Sequence, residues 1–292
     1  MGDYLRPADV PTALAALADG GPGGTAWTVI AGATDYYPAR VGRAVDEDVL
    51  DVSAIGGLRG IEPVAAGAPG LPDGGWRIGA LTTWSDLARA DLPPLFDGLR
   101  AAARAIGGRQ VQNRATLAGN LCNASPAADG VPGLLALDAV VELASAGGVR
   151  PVPLGAFITG NRRTVRAPDE LATGILVPSP LAGAKVRSAF LKLGARAYLV
   201  ISIAMVAAVV ETNDEGRIRR ARIAIGACSE VAQRLTELEA ELVGRPLDGA
   251  AAGMDARHLA TLAPINDVRA TADYRRAAAL VLVRRALEEL AS

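Results

Sequence analysis

Residues 116–129 read Thr-Leu-Ala-Gly-Asn-Leu-Cys-Asn-Ala-Ser-Pro-Ala-Ala-Asp. They lie in a longer polar stretch, Gly107 to Asp129, with no sustained helical or strand period and many Gly, Asn, Ser and Thr residues. Some twenty residues of irregular chain inside a compact domain are more often functional than connecting. Thr116, Asn120, Asn123 and Ser125 supply hydroxyl and amide groups, and Ala118-Gly119 lets a ligand approach the backbone closely. That chemistry suits a phosphate or a ribose. The competing reading is a polar connector built on Asx turns.

A second small-residue loop lies upstream. Trp27 to Ala31 is a short β-branched run that stops at Gly32, and Ile30-Ala31-Gly32-Ala33-Thr34-Asp35 follows the pattern of a strand entering an anion-cradling turn. It matches neither the Rossmann glycine fingerprint nor a Walker loop, and alone it is equally an ordinary strand-to-helix turn. Two such loops in the two halves of one region make the binding reading stronger than either does separately.

Around these loops the chain alternates strands and helices. Asp9 is placed to cap a helix carrying Val10, Leu14 and Leu17, and Val49 to Val52 closes a small βαβ-like unit. A Gly/Pro-rich hairpin at 67–75 precedes a strand at Trp76 to Gly79 and helices over Thr83–Ala90 and Leu95–Ile106. Pro-Ser-Pro at 178–180 is the best boundary. Beyond it, Arg187–Leu193, Tyr198–Glu211 and Ile218–Ile225 read as three strands. A helix with Val231, Leu235, Leu238 and Leu242 on one face and a final helix over about Asp273–Leu290 follow.

Composition narrows the chemistry. The 292 residues carry 30 Lys+Arg against 31 Asp+Glu, so no basic surplus points to nucleic acid. One histidine, His258, and two distant cysteines, Cys122 and Cys228, cannot assemble a zinc or four-thiolate iron–sulfur site within the chain. His258 reads as a surface or packing residue and Cys122 as a small packing residue. The N-terminus lacks a signal-peptide pattern. The longest apolar run, Tyr198 to Val210, is too short to span a bilayer, and a reducing cytoplasm fits the cysteine count. Redox chemistry in such a chain would need a bound cofactor.

At these residues the sequence resembles the flavin-binding subunit of molybdenum hydroxylases, the family of xanthine dehydrogenases, aldehyde oxidases and aerobic carbon monoxide dehydrogenases. The resemblance rests on Ala-Gly-Ala-Thr-Asp (31–35) and on the 116–129 stretch. It extends to Arg-Ile-Gly-Ala-Leu-Thr-Thr (77–83), Arg-Gln-Val-Gln-Asn-Arg (109–114), Asp-Glu-Leu (169–171) and the terminal Ile-Asn-Asp-Val-Arg-Ala-Thr-Ala-Asp-Tyr-Arg-Arg (265–276). It implies an α+β fold: an FAD-binding domain of the PCMH type over 1–180, with two α/β subdomains at about 1–55 and 56–180, and a C-terminal domain over 181–292 with a three-stranded antiparallel sheet and helices.

The resemblance also implies the site. Ile30, Ala31, Gly32, Ala33, Thr34 and Asp35, with Thr116, Leu117, Ala118, Gly119 and Asn120, would hold the FAD pyrophosphate, and Asp129 would face the ribose or adenine. Lys192 would approach the flavin; Ile106 and Leu171 would line it. Ala33 and Ala118 stand where the family has glycine, and both are expected at negative φ; Val200 replaces an acidic residue. No catalytic residue and no metal ligand is assigned to this chain.

Electrons from a molybdopterin-binding large subunit would pass through the [2Fe-2S] clusters of a small subunit to this FAD, then to NAD, oxygen or another acceptor. That makes the chain an oxidoreductase subunit acting in a complex. A stand-alone flavin oxidoreductase and a nucleotide-binding assembly module are the alternatives.

Overall fold

The first fifty residues form one small parallel layer. In the computed structural model, which describes residues 2–292, β1 (Tyr4–Leu5) leads to α1 (Val10–Asp19), β2 (Thr28–Ile30) and β3 (Val49–Asp51). Asp9 caps α1, its carboxylate accepting from Thr12 N–H at 2.8 Å. The strands lie in the order β1-β3-β2, all parallel. Ala13 and Leu17 of the helix bury against Leu50, Val52, Ile55 and Leu58, so the predicted βαβ-like unit has its own core.

The middle of the chain builds an antiparallel sheet with helices. Its elements are β4 (Ile61–Val64), β5 (Gly75–Gly79), α2 (Trp84–Arg89), α3 (Asp97–Ala105), α4 (Arg109–Gln112), α5 (Leu117–Asn123), α6 (Gly130–Ala136), β6 (Val140–Ser145), β7 (Gly148–Pro153), α7 (Leu154–Phe157), β8 (Ile158–Gly160), β9 (Arg163–Thr164) and β10 (Leu171–Pro178). The order β4-β5-β10-β6-β7 puts β10 at the centre, where Leu171 to Val177 are all buried. Strands β8 and β9 form a separate hairpin. The polar stretch at 107–129, expected to be irregular, holds α4 and α5. Both are too short for a periodic apolar face, because a four- or seven-residue helix turns at most twice.

The C-terminal part is a sheet buried on both sides. β11 (Lys185–Leu193), β12 (Ala204–Thr212) and β13 (Ile218–Gly226) are antiparallel, and a fourth strand, β14 (Gln233–Arg234), pairs with β13. The expected three-stranded sheet therefore has four strands. Two polar residues carry no alternation by which the last could be read. Helices α8 (Thr236–Leu242) and α9 (Ala272–Ala291) cover one face.

Successive side chains of β12 point to opposite sides. Met205, Ala207 and Val209 join the core of the middle sheet's helices, while Ala204, Val206, Ala208 and Val210 pack on α8 and α9. This accounts for the unbroken apolar run. The strand begins at Ala204 rather than Tyr198, because residues 195–203 form a loop in which Leu199 has φ 52° and its carbonyl accepts from Arg196.

Candidate functional site

The loop after β2 offers a row of unused donors. None of the main-chain N–H groups of Gly32, Ala33, Thr34, Asp35 and Tyr36 donates to a protein acceptor among the described residues. Ile30 is buried at the end of β2, Ala31 to Thr34 are half-buried, and Asp35 is exposed. Successive free N–H groups in a turn form a concavity that suits an anion. Ala33 adopts φ 54°, contrary to the expected negative value. The turn needs a left-handed residue there, which costs a non-glycine residue about 1–2 kcal/mol. Ala118 keeps helical backbone inside α5, as expected of it.

The second loop is seated against the first. A Cβ placed on Gly32 would lie 1.9 Å from the carbonyl oxygen of Arg114, so only glycine lets the two backbones meet. Thr116 caps α5: its hydroxyl accepts from Gly119 N–H at 3.0 Å, and Leu117 N–H is taken by Thr82 O. Ala118 N–H has no protein acceptor among the described residues. Leu117 and Ala118 themselves pack into the core. The buried Asn120 Oδ1 has no hydrogen-bond partner among the described residues.

Asp129 and Lys192 are brought together. Lys192 Nζ donates to Asp129 Oδ2 at 2.6 Å and to Ala105 O at 3.3 Å, next to Ile106, and Ser202 Oγ donates to Asp129 Oδ1 at 2.5 Å. Both oxygens of Asp129 are thus held by protein donors. Burial pushes its carboxyl above the usual carboxylate range, against the pull of the Lys192 ammonium. Gly130, the next residue, lies close enough to Asn120 that a Cβ there would approach Asn120 Oδ1 to 2.8 Å, which connects this pair to the second loop. Leu171 lies apart from the pair: its side chain joins the N-terminal core with Leu50 and Leu81.

A groove of about 400 Å³ opens nearby between Ala195, Arg196, Leu199, Val200, Ile201, Ile203 and Arg269. The terminal motif at 265–276 shapes its floor. Buried Arg275 donates to Ile203 O at 2.5 Å, to Ala227 O at 3.1 Å and to Asp267 Oδ1 at 2.7 Å. Burial alone would raise the Asp267 carboxyl. The N–H of Arg269 and the Arg275 guanidinium instead hold it well below the usual range.

Among the residues singled out earlier, His258 is buried and its Nδ1 accepts from Asp255 N–H in a helix cap. Cys122 and Cys228 are free thiols. Sequence reasoning missed Ser202, which holds Asp129, and Arg162, whose Nη1 donates to Asp35 at the end of the first loop. The Gly-Asn turn at 160–161 marks the hairpin that carries Arg162, but nothing local links it to either loop.

Free amides and a close glycine contact fit a diphosphate, and an orphaned acceptor fits a hydroxyl or N–H donor of a dinucleotide that carries it. The fold and this cradle define a flavoprotein: the chain belongs to the family described as the FAD binding domain in molybdopterin dehydrogenase, matched over residues 1–180. Residues 189–290 match the carbon monoxide dehydrogenase flavoprotein C-terminal domain.

Among its relatives, the carbon monoxide dehydrogenase medium chain of Afipia carboxidovorans is 31% identical over 295 residues, covering 98% of this chain and 95% of the relative. The glyceraldehyde dehydrogenase medium chain of Sulfolobus acidocaldarius is 30% identical, covering 90% of each. The solved structure of reconstituted CO dehydrogenase from Oligotropha carboxidovorans superposes with a TM-score of 0.85 at 28% identity, over 100% of this chain and 98% of that one.

Proposed function

We propose that this chain is the FAD-binding electron-transfer subunit of a molybdenum hydroxylase. In this reading, residues 1–180 hold the cofactor through subdomains at about 1–55 and 56–180, and residues 181–292 close over it. The observation that carries the reading is the run of five N–H groups at 32–36 with no protein acceptor among the described residues, Gly32 lying against the Arg114 carbonyl just before the second loop. Loop residues 30–35 and 116–120 take the diphosphate. Asn120 accepts from the bound molecule through its orphaned oxygen. Ile106 lies beside the Ala105 carbonyl that holds Lys192, and Leu171 braces the cradle from the core.

Bound FAD supplies two-electron chemistry that no side chain of this protein can. The protein's part is to bind and orient the ring and to set its electrostatic surroundings. Lys192 contributes a cation whose position is fixed by Asp129. A carbon monoxide dehydrogenase medium chain and a xanthine dehydrogenase FAD-binding subunit are among the relatives, which supports a complex with a molybdopterin-binding large subunit and a [2Fe-2S] small subunit. Electrons arrive from the clusters and leave to NAD, oxygen or another acceptor. No helix among the described residues is long and apolar enough to cross a membrane, and a cytoplasmic complex fits this reading.

The test is titration of the purified chain with FAD. Equimolar uptake, seen as a perturbed flavin absorption spectrum and quenched flavin fluorescence, is the expected result. A colourless chain that takes up no FAD refutes the proposal, and substrate oxidation by the chain without partners favours a stand-alone flavin oxidoreductase.

A further inference from the structure

The β8–β9 hairpin carries a guanidinium to the place where the two loops approach each other. Arg162, at its tip, donates through Nη1 to Asp35 Oδ2 at 2.5 Å and, from the same nitrogen, to Asn123 Oδ1. Its main-chain N–H donates to Ala124 O at 2.9 Å. Asp35 ends the first loop, and Asn123 and Ala124 end α5 in the second. One residue thus joins three segments that are remote in sequence.

The arrangement is strained and contributes little to the fold. Arg162 has φ 59° and Ala124, the cap at the end of α5, φ 45°, left-handed conformations that cost a non-glycine residue about 1–2 kcal/mol. The Arg162 and Asp35 side chains are 52% and 57% exposed, and surface pairs of this kind add little stability. Stability therefore does not explain why a strained turn reaches this point.

The geometry points to Arg162 as a cofactor-binding residue: a clamp that sets the spacing of the two loops and presents its free N–H groups to the diphosphate of FAD. Nε and Nη2 donate to no protein acceptor among the described residues. A guanidinium offers its donors in a planar fork that matches phosphate oxygens. Residues 30–35 and 116–120 contain no Lys or Arg, so a cation at the cradle comes from outside them, from Arg114 just before the second loop or from Arg162 on the hairpin. Asp35 and Asn123 hold the Nη1 corner of the fork and leave the opposite edge free. This inference rests on the FAD reading of the two loops.

The experiment measures binding of FAD by fluorescence quenching, and of ADP by calorimetry, to the full chain and to Arg162→Ala, Arg162→Gln and Arg162→Lys. ADP carries the diphosphate without the flavin. The expected result is loss of affinity for both ligands by about tenfold or more in the Ala and Gln variants, with partial recovery in the Lys variant. The salt dependence of binding becomes shallower as the charge is removed. Apo melting temperatures stay within about 2 °C of the parent chain.

Unchanged affinity for both ligands overturns the assignment. So does weaker FAD binding with unchanged ADP binding, since the guanidinium would then not act on the diphosphate. If the parent chain binds neither ligand, the FAD reading itself falls, whatever the variants do.

Discussion

Lys192 Nζ lies 2.6 Å from Asp129 Oδ2 in the seam where the C-terminal sheet meets the middle helices, with side chains 10% and 9% exposed. Breaking such a pair from one side leaves a buried charge without its counterion, which costs about 3–5 kcal/mol. The two sides are not equivalent. Asp129→Asn leaves the ammonium with neutral acceptors alone, the amide oxygen and the Ala105 carbonyl, whereas Lys192→Met strands a carboxyl that burial already pushes upward and that can be neutralised by a proton.

In Lys192→Met the folded pKa of Asp129 lies above the unfolded value. The protonated carboxyl is tolerated at low pH, and stability is lost as pH rises through the folded pKa. Urea unfolding of that variant should therefore show a larger deficit against the parent at pH 8 than at pH 5. Equal deficits at both would show that Asp129 does not take up the proton.

The first loop yields a paired prediction. Ala33→Gly relieves the left-handed strain at φ 54° but adds backbone entropy to the unfolded chain, for a net gain of roughly 0.5–1 kcal/mol. Gly32→Ala does the opposite, since its Cβ would overlap the Arg114 carbonyl and force the two loops apart. FAD affinity should fall by more than tenfold in Gly32→Ala, a loss of about 1.4 kcal/mol or more. Retention of parental affinity in Gly32→Ala would mean that contact between the loops is not needed for binding.

What could be read from residues alone was the part governed by local pattern. The apolar run of β12 and the turn at Asn213–Gly216 are local; there Gly216 has φ 75° and Asn213 Oδ1 accepts from Glu215 and Arg217 N–H. Helix α5 escaped because its buried positions, Leu117, Ala118 and Leu121, are interleaved with Gly119 and Asn120 over only seven residues. Asp129 and Lys192 were each singled out by resemblance, but their pairing spans 63 positions and is written nowhere in the local sequence. Arg162 is further removed still, 127 positions from Asp35. The sign of φ at Ala33 was misjudged because alanine's own preference was weighed, while the loop's contact with Arg114 decides the turn.

Acid sensitivity should centre on the terminal motif. The Asp267 carboxyl is held well below its ordinary value, so its folded pKa lies beneath the unfolded one. Its contribution is fully present above the unfolded pKa, near 4, and is lost as pH falls through the folded value. Asp267→Asn should lower stability at pH 7 and shrink the difference between pH 7 and pH 3 in thermal melts. A parental pH profile in that variant would place the acid-labile carboxylate elsewhere, with Glu170 beside Arg150 the next candidate.

The two thiols supply a probe of the cradle that needs no substitution. Burial pushes both Cys122 and Cys228 up to about 11, so at pH 8 only about one molecule in a thousand carries the reactive thiolate at either site. An unfolded cysteine near 8.5 would be about a quarter ionised at the same pH. Labelling by a disulfide reagent should be slow in the folded chain and fast in urea. Cys122 is half-buried in α5 between Asn120 and Asn123, whereas Cys228 is fully buried with its thiol on the Arg275 carbonyl. FAD seated on the second loop should therefore slow Cys122 labelling further and leave Cys228 unaffected, which peptide mapping of the labelled chain would resolve. Equal protection of both thiols by FAD would report a general tightening of the protein, and protection of neither would separate the cofactor from the face of α5 that bears Cys122.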